Sequence, residues 1–480
     1  MITKTKKPLS VVLCFLLLFS CFCAPASAAD QTKKAASGIQ SLWQRFVAFF
    51  NSLFAKIRSF FRRTEPEDPP QPTTEPEQPT EPEQPTEPEQ PTEPEQPTEP
   101  EQPTEPEQPT EPEQPTEPEP LSEIEIVSAD VVCELKPGEN NPRNSEGDFA
   151  VLPDGRILYA YSKYRSGDGY DDDPCDIAGM ISSDGGRTFT ALPGLLASAS
   201  EHGTLNIMSV SLEVLADGTV CLFYLVKNND GSLESSYVMR KSSPDALSFG
   251  EPVDVIPDIP GDYYVVNNCR TQMLADGRIM VAAARHPIIQ VNGANQLQYA
   301  AQDVVYISDK NVTGFTKCSG FIVLDDANSR TGMQEPGIQI LPDGTYRLYA
   351  RTDRGYQYES YSPDGVTWTA PAASVFESPT SPMLIERNPY PGVYYAIWNP
   401  YARIPGTNTA SGRTPLVMAQ SRNGIDFTGF TVLEGDPELG FCYPAICFLS
   451  ANEMLVSYCF GQVNTAKQLS QTRIRRLTVN

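Results

Sequence analysis

The side chains with which this 480-residue chain could do chemistry are carboxylates, arginines, tyrosines and hydroxyls. Histidine occurs only at His202 and His286, which excludes a histidine-rich metal centre. Eight cysteines remain beyond residue 28, but their spacing is irregular and no CxxC pair occurs. The sequence therefore predicts neither a disulfide framework nor a metal site, and it carries no motif for a cofactor.

Two stretches combine charged residues in a way that invites a chemical interpretation. The run YRSGDGYDDDPCDIAG places Arg165 ahead of Asp171, Asp172 and Asp173. A solvated acidic loop or a calcium contact would explain the same three carboxylates. The run QEPGIQILPDGTYRLYAR begins with Glu335 at the head of an otherwise apolar strand. Burying such a carboxylate is costly unless it is paired or used.

These residues must be positioned by a repeat that fills residues 121–480. A tight turn followed by a β-rich run returns about every 60 residues, a period typical of blades or solenoid repeats. The six turns are LPDG at 152, LADG at 215, LADG at 274, LPDG at 341, NPYPG at 388 and LSANE at 449.

A second motif keeps the same period. The runs SSDGGRTF, SPDALSF, SDKNVTGF, SPDGVTW and SRNGIDF each end on an aromatic residue, at Phe189, Phe249, Phe315, Trp368 and Phe427. A Ser and an Asp that bond the backbone of their own turn, above a packed aromatic ring, predict a structural role. Turns and boxes together predict an all-β, six-bladed antiparallel β-propeller with about four short strands in each blade.

The first 120 residues differ in composition from the propeller region. Residues 1–28 combine three early lysines, an apolar run and small residues at Ala26 and Ala28, the pattern of a secretory signal peptide. Residues 64–120 repeat TEPEQP and hold eighteen Glu and one Asp, most of the net charge of −25. We expect this segment to be a disordered, extended linker, because proline removes backbone donors and the glutamates repel one another.

Between these two segments, residues 29–63 contain an amphipathic, cationic helix pattern. Apolar residues recur at three- and four-residue steps from Ile39 to Phe60, and five basic residues within residues 37–63 supply positive charge. The pattern is typical of a helix that lies on a membrane surface, and a helix that packs on a partner or on the main domain is the alternative. The chain is thus expected to be secreted or extracellular, with attachment to a membrane surface or cell envelope through residues 37–63.

The five boxes follow the pattern S-x-D-x-G-x-T-W, which resembles the Asp box of the sialidases (neuraminidases), and the resemblance covers essentially all of residues 121–480. Boxes alone also occur in non-catalytic propellers, so the order of the remaining motifs is the stronger indication. In sialidases an acidic Asp precedes the first box, a Glu precedes an Arg by sixteen residues, another Arg precedes a late box, and a nucleophilic Tyr follows. The matching residues here are Asp171 with Arg165 six residues before it, Glu335 with Arg351, Arg413, and Tyr443.

The resemblance implies a chemistry that suits these residue types. Arginines bind the carboxylate of a sialic acid bidentately, and a tyrosine nucleophile avoids the like charge that a carboxylate would present to it. The resemblance makes Glu335 the base that accepts the proton of Tyr443. It makes Asp171 the acid that protonates the leaving oxygen and then activates water.

The start of the first repeat departs from the family pattern. Sialidases carry Arg-Ile-Pro before the first turn, whereas this chain has NPRNSEGDFAVLPDG, so that Arg143 lies two residues farther from the turn. The late Glu that usually braces this arginine is also absent, and Glu146 is a candidate replacement. Arg143 is therefore expected to bind substrate only if the altered motif still places it correctly.

Polar residues before other blade strands are further candidates for recognising a sugar. Arg270 is predicted to bind substrate, and Asn206, Asn267 and Asn268 could recognise hydroxyl groups, although ordinary turn and cap chemistry explains asparagines at such positions as well.

The sequence as a whole predicts a secreted exo-α-sialidase-like retaining glycoside hydrolase that releases terminal sialic acids from glycoproteins and glycolipids. A non-catalytic glycan-binding propeller and a hydrolase of another acidic sugar remain alternatives. No nucleic-acid partner is predicted, because the folded region has no basic stripe.

Overall fold

The computed structural model describes residues 124–228, 232–242, 248–257, 261–403, 411–463, 465 and 467–480. The predicted signal peptide, amphipathic helix and linker (residues 1–28, 29–63 and 64–120) lie outside the described residues. The described chain consists of strands and one short 3-10 helix, η1 (Ala199–His202). None of its helices is long and apolar enough to cross a membrane.

The strands form six antiparallel blades, which confirms the predicted propeller. The chain begins with β1 (Ile126–Leu135) and continues through blade 1, which contains β2 (Asn144–Val151), β3 (Ile157–Tyr164), β4 (Cys175–Ser182) and β5 (Thr190–Ala197), and blade 2, which contains β6 (Asn206–Val214), β7 (Val220–Lys227), β8 (Ser235–Lys241) and β9 (Val253–Asp254). Blade 3 contains β10 (Tyr263–Val265), β11 (Thr271–Met273), β12 (Ile279–His286), the hairpin β13 (Ile288–Val291) and β14 (Ala294–Leu297), β15 (Gln302–Ser308) and β16 (Phe315–Lys317), and blade 4 contains β17 (Gln334–Ile340), β18 (Tyr346–Arg351), β19 (Tyr356–Ser362) and β20 (Ala372–Glu377). Blade 5 contains β21 (Leu384–Arg387), β22 (Tyr394–Trp398), β23 (Leu416–Ser421) and β24 (Thr428–Glu434), and blade 6 contains β25 (Leu439–Phe448), β26 (Glu453–Gln462) and β27 (Gln471–Val479).

The ring closes through the two ends of the described chain. Strand β1 pairs antiparallel with β27 and completes blade 6, with Ile126 opposite Val479 and Leu135 opposite Thr472. The first strand of each blade, its inner strand, neighbours the inner strands of adjacent blades, as β2 does with β6 and β25. Blade 3 has a split inner strand, because β10 and β11 both pair with β12.

The hydrophobic core lies between neighbouring blades. The second strands are covered on both faces, so they are apolar at consecutive positions rather than at alternate ones. Strand β7, VCLFYLVK, is buried along its whole length. One cluster joins Phe223 and Tyr237 of blade 2 to Tyr264 and Tyr306 of blade 3, so that adjacent blades bury one another's faces.

The four turns that carry a D-G pair between first and second strands share one geometry. In the first of them the N–H of Leu152 donates to the carbonyl of Arg156 and the N–H of Gly155 donates to the carbonyl of Leu152. Gly155 has a φ of 85°, and Gly344 at the matching position has 87°. A left-handed conformation of this kind favours glycine, which explains the recurring D-G pair.

The boxes connect third strands to fourth strands. Ser182 Oγ donates to Asp184 Oδ1 at 2.8 Å, and this carboxylate accepts hydrogen bonds from two backbone N–H groups of its own turn, each at 3.0 Å. The box at Ser362 and Asp364 repeats the arrangement. The bonds of both carboxylates remain inside their boxes, as a structural role requires.

Candidate active site

Five blades contribute to one cavity of about 270 Å³. Its walls combine carboxylates, cations and tyrosines with a few apolar side chains. The lining residues are Glu146 and Asp171 of blade 1; Met208, Ser209, Leu225 and Lys227 of blade 2; Tyr263, Val265, Asn267, His286, Leu297 and Tyr299 of blade 3; Gln334, Glu335 and Arg351 of blade 4; and Tyr443 of blade 6.

Four inner strands carry a bulge at this cavity. The register with the second strand shifts around Glu146, Ser209, Glu335 and Tyr443. All four residues have a φ between 54° and 62°, a region that side-chain-bearing residues rarely adopt and that costs on the order of 1–3 kcal/mol each. Because all four also line the cavity, the bulge is the backbone feature that presents a side chain there.

Glycines beside two of these bulges permit close packing against the second strand. A Cβ atom at Gly337 would lie 2.5 Å from the hydroxyl oxygen of Tyr349, and one at Gly147 would lie 2.4 Å from that of Tyr159. Both tyrosines are buried. A larger residue at either glycine would therefore have to displace a buried ring next to the cavity wall.

Tyr443, Glu335 and Arg351 form a bonded chain in the cavity wall. The hydroxyl of Tyr443 donates to Glu335 Oε1 at 3.1 Å. Arg351 Nη1 lies 2.9 Å from Glu335 Oε2, and Arg351 Nη2 donates to Gln334 Oε1 at 3.2 Å. The carboxylate of Glu335 thus lies between a phenol, whose proton it can accept, and a guanidinium, which holds it in place.

The environment of Tyr443 keeps its phenol protonated. Burial raises the pKa of Tyr443 well above its ordinary value, and the charge of Glu335 raises it further, although Arg351 and Arg413 act in the opposite direction. A neutral phenol is a weak nucleophile, so this tyrosine would need a base to react. Glu335 is within hydrogen-bond distance to serve as that base.

Arg413 lies against the Tyr443 ring and is not among the residues that line the cavity. Its guanidinium carbon is 5.7 Å from the centre of the Tyr443 ring. Nη1 donates to the free thiol of Cys442 at 3.0 Å, and Nη2 donates to the carbonyl of Thr380 at 3.0 Å. These two hydrogen bonds fix the arginine against the tyrosine.

Arg143 is buried between two carboxylates. Its Nη2 donates to Glu146, its Nη1 donates to Asp171 Oδ1 at 2.5 Å, and its Nε donates to Ser145 Oγ at 2.8 Å. Glu146 also accepts a hydrogen bond from Ser209 Oγ. Glu146 therefore braces Arg143, while Arg143 itself does not line the cavity.

Asp171 lies in the loop formed by residues 165–174, which we call the acidic loop. Burial of the surrounding loop opposes ionisation, but the side chain of Asp171 is 63% exposed and faces Arg143 and Lys227, which together lower its pKa below the ordinary value. The charges around Asp171 therefore favour its ionised form. Among the described residues, no group of three or more His, Cys, Asp or Glu side chains is arranged to hold a metal ion.

Two more of the predicted arginines, like Arg143 and Arg413, do not line the cavity. Arg165 stands at the stem of the acidic loop, where its Nε donates to Asp176 at 2.9 Å. Asp171 lies at the tip of the same loop, so the six-residue separation does not bring the two side chains together. Arg270 follows the positive-φ residue Cys269, and its guanidinium is directed to the carbonyl of Met383 at 2.7 Å. The structure therefore gives no support to substrate-binding roles for these two side chains.

The three asparagines divide between cavity and scaffold. Only Asn267 lines the cavity. Asn206 donates to two carbonyls of the acidic loop, and Asn268 donates to the carbonyl of Gly147 at 2.9 Å. Asn206 and Asn268 hold backbone in place, which is the turn and cap chemistry that the sequence also allowed.

Several lining residues escaped the sequence analysis. Glu146 was identified only as a brace for Arg143, although it stands eight residues before the turn residue Asp154, the same offset that separates Glu335 from Asp343, so the repeat also contained a signal for its place in the cavity wall. Lys227 ends an otherwise apolar strand, which is the criterion that singled out Glu335. His286 and Tyr263 carried no distinguishing pattern.

Comparison with solved structures shows the same fold in proteins of low sequence identity. A Dyadobacter fermentans protein of unknown function matches with a TM-score of 0.55 and 17% identity over 74% of this chain and 100% of its own. The NanB sialidase from Streptococcus pneumoniae matches with a TM-score of 0.54 and 13% identity over 73% of this chain and 70% of its own. An α-L-arabinanase from Penicillium chrysogenum, complexed with arabinobiose, matches with a TM-score of 0.51 and 15% identity over 73% of this chain and 98% of its own.

A search of curated protein sequences found no match. Residues 196–454, more than half of the chain, match the family model described as the BNR repeat-like domain. With the six blades, the repeated boxes and the sialidase-like fold, this match establishes that the chain belongs to the BNR repeat-like domain family.

Proposed function

We propose that the protein is a retaining exo-α-sialidase, in which Tyr443 attacks the sugar and Asp171 protonates the leaving group. The observation that carries the proposal is the hydrogen bond of 3.1 Å from the hydroxyl of Tyr443 to Glu335, in a cavity that also holds Asp171 and Arg351. The fold is shared with a sialidase, and this supports a glycosidase of that class.

The residue types favour an anionic sugar. A sialic acid carries its carboxylate on the anomeric carbon, so a carboxylate nucleophile would meet a like charge, whereas a tyrosine paired with a glutamate delivers an oxygen nucleophile without permanent charge. Arg351 lines the cavity, and Arg413 lies against the Tyr443 ring. Their planar guanidinium groups suit bidentate binding of the substrate carboxylate.

The reaction proceeds in two balanced steps. In the first, Asp171 takes up a proton from solvent as the substrate binds and gives it to the departing glycosidic oxygen, while Glu335 takes the phenolic proton and the Tyr443 oxygen bonds to the anomeric carbon. In the second, ionised Asp171 removes a proton from water, whose oxygen bonds to the anomeric carbon while Tyr443 leaves and recovers a proton from Glu335. Two displacements at one carbon retain its configuration.

One observation favours a second candidate, a hydrolase of a different sugar. Arg143 is bonded to Glu146 and Asp171 and does not line the cavity, so one of the arginines expected to bind substrate is engaged by carboxylates of the protein itself. The fold is also shared with an arabinanase. The test therefore has to compare sugars as well as detect turnover.

The deciding experiment offers the purified full chain a series of fluorogenic glycosides. The sialidase proposal expects hydrolysis of the α-sialoside well above that of matched uronic acid and arabinose glycosides. A 3-fluorinated sialic acid with a good leaving group, whose fluorine slows breakdown of a glycosyl-enzyme, should add one sugar mass to the peptide that contains Tyr443. Turnover of another sugar alone would show that the substrate is that sugar and not a sialic acid. Binding of sialoglycans without any turnover would identify a binding module.

The predicted location agrees with such a substrate but stays a prediction. A secretory signal, a cationic amphipathic segment and an acidic spacer would place the propeller outside the cell, near the envelope, where it would meet sialylated glycoproteins and glycolipids.

A further inference from the structure

The acidic loop carries Asp171 next to the cavity. The proposed proton transfer requires this side chain to be positioned precisely, although it is largely exposed. Asp171 is 63% exposed, so packing of its side chain contributes little to its position. The loop contains its own brace, since Asp173 Oδ2 accepts the backbone N–H groups of residues 168, 169 and 170 at 2.8–2.9 Å. This internal brace shapes the loop but does not fix it to the propeller.

Two buried side chains of blade 2 attach the loop to the propeller. Asn206 Nδ2 donates to the carbonyl of Asp171 at 3.0 Å, and Lys227 Nζ donates to the same carbonyl at 2.8 Å. Asn206 and Lys227 lie directly opposite each other on β6 and β7. Both are buried, so their attachment points are set by the blade and not by the loop.

The burial of Lys227 calls for an explanation. Its ammonium lines the cavity, and its carboxylate partner Asp172, 3.2 Å away, is almost fully exposed. A surface pair of this kind compensates weakly for a buried charge. The ring centre of Tyr263 is 6.0 Å from Nζ. The remaining contact is the one with the backbone of Asp171, which directs the charge toward the proposed acid.

We propose that Lys227 is a positioning residue for the proposed reaction: it pins the backbone of Asp171 to blade 2 and supplies a positive charge beside the Asp171 carboxylate. The inference rests on the proposed function, because it assigns Lys227 to the step in which Asp171 transfers a proton. The charged groups around this carboxylate are Arg143, Lys227 and Arg351, which favour its ionised form, and Glu146, which opposes it.

The two contributions of Lys227 can be separated by variants of the full chain. Lys227→Met removes the bond and the charge, Lys227→Arg restores the charge and a donor, and Asn206→Ala removes a neutral anchor of the same carbonyl. Lys241→Met, at the opposite end of blade 2, is the matched control for a lysine-to-methionine change. Thermal denaturation of all variants establishes that they fold.

Kinetics should then distinguish positioning from substrate contact. Lys227→Met should lower kcat/KM about 10- to 100-fold, more for a sialyl-sugar than for an aryl sialoside, because an aryl leaving group needs little protonation. Loss of the positive charge should also move the alkaline limb of the kcat/KM profile upward by roughly half a pH unit or more. Asn206→Ala should lower kcat/KM without moving the limb, and Lys227→Arg should recover both properties.

The inference fails if Lys227→Met raises KM for both leaving groups equally and leaves the limb in place, since Lys227 would then contact the substrate directly. A readout that needs no turnover is amide hydrogen exchange of the peptide that covers residues 165–174. Exchange should accelerate in Lys227→Met and Asn206→Ala but not in Lys227→Arg or Lys241→Met. Unchanged exchange in Lys227→Met would overturn the anchoring even if the enzyme is active, whereas an inactive parent with accelerated exchange in the variant would overturn the sialidase proposal alone.

Discussion

The inner-strand bulges and the boxes are both repeated around the propeller, but they use repetition in opposite ways. The boxes repeat their side chains, since Ser182 with Asp184 and Ser362 with Asp364 form the same bonds inside the same turn. The bulges repeat only their backbone, with a positive φ at Glu146, Ser209, Glu335 and Tyr443. A side chain that must hydrogen-bond the backbone of its own turn is the same in both boxes, whereas the side chains that face the cavity vary among Glu, Ser and Tyr at the four bulges.

Electrostatics separate the same two regions. Hydrogen bonds from Thr188 lower the pKa of Asp184 below its ordinary value, so that carboxylate stays ionised at its turn. Burial instead raises the pKa of Asp148, on the inner strand β2, to about 7, and those of Glu213 and Glu386, on β6 and β21, to about 8. The carboxylate of this box is thus stabilised as an anion, while these three carboxyl groups of the inner strands resist ionisation.

The largest expected difference between the regions is in turnover. Tyr443→Phe keeps the ring but removes the oxygen that would attack, so kcat on a sialoside should fall at least about 1,000-fold, with the melting temperature almost unchanged. Glu335→Gln should resemble it, because the phenol would keep its proton. Arg351→Lys should also weaken binding of a sialic-acid-like inhibitor, since the bidentate fork is lost. Full hydrolysis by folded Tyr443→Phe would remove the tyrosine from the mechanism.

Two glycine substitutions in the hairpin of β17 and β18 compare a steric clash next to the bulge at Glu335 with backbone strain in the turn. Gly337→Ala forces the buried ring of Tyr349 to move and should cost about 1–3 kcal/mol, with a loss of activity because Glu335 lies two residues away. Gly344→Ala meets open space at a φ of 87° and should cost about 1 kcal/mol, with activity per folded molecule retained. Equal losses of activity would show that the bulge has no special part in positioning Glu335. Denaturant titration and assays of both variants make the comparison.

The dependence of stability on pH should separate the carboxyl groups near the axis from those of the boxes. Because folding raises the pKa of Asp148, Glu213 and Glu386, their stabilising contribution is complete below the unfolded pKa and is lost as pH rises through about 7–8. The free energy of unfolding should therefore decline toward alkaline pH between the unfolded pKa values and about pH 8, by up to about 1.4 kcal/mol for each group and pH unit. Glu386→Gln should flatten this fall, measured by urea denaturation.

The boxes supply the control for that experiment. The pKa of Asp184 is lowered, so its contribution is present above the unfolded pKa and is lost only in acid. Asp184→Asn should therefore leave the alkaline slope unchanged. A slope that responds to Asp184→Asn and not to Glu386→Gln would reverse the electrostatic assignment of the two regions.

Removing a box carboxylate should have a smaller effect. Asp184→Ala loses bonds to its own turn and should lower the melting temperature by a few degrees, and Asp364→Ala should do the same. Activity for each folded molecule should stay close to that of the parent, because neither side chain reaches the cavity. A folded but inactive Asp184→Ala protein would transfer the box from scaffold to site.

The smallest effect is expected from removing residues 1–120. Their glutamate and proline repeat predicts an extended spacer without a folding transition. The 121–480 fragment should therefore match the full chain in kcat and KM on a soluble sialoside, and the spacer should be cleaved first by proteases. Cooperative melting of the isolated spacer would contradict this interpretation.

The repeat explains why so much of the fold could be predicted from the sequence. Turn and box residues act locally, through bonds to their own backbone, so their spacing alone indicated six blades. The relation of Glu335 to Arg351 was also local, because one hairpin joins them, and the structure places Arg351 opposite Gln334. The role of β1 as the closing strand could not be predicted in this way, because its pairing with β27 joins opposite ends of the described chain.

The arginines show where prediction from spacing stopped. Arg165 and Asp171 have the expected six-residue separation, yet a loop stem and a loop tip point in different directions. Arg143, Glu146 and Asp171 were each identified, but their mutual bonding depends on a bulge in β2 and on how the acidic loop folds back over it.

The sequence by itself determined the number of repeats, the scaffold role of the boxes and the kinds of side chain available for chemistry, because periodicity and residue type are local properties. Only the tertiary structure decided which of those side chains meet. Tyr443 and Glu335 are 108 residues apart in the chain and share a hydrogen bond because ring closure brings blades 4 and 6 around one axis. Lys227 reaches Asp171 across 56 residues because blades 1 and 2 pack side by side. Both long-range contacts follow from the packing of blades, which no single repeat encodes.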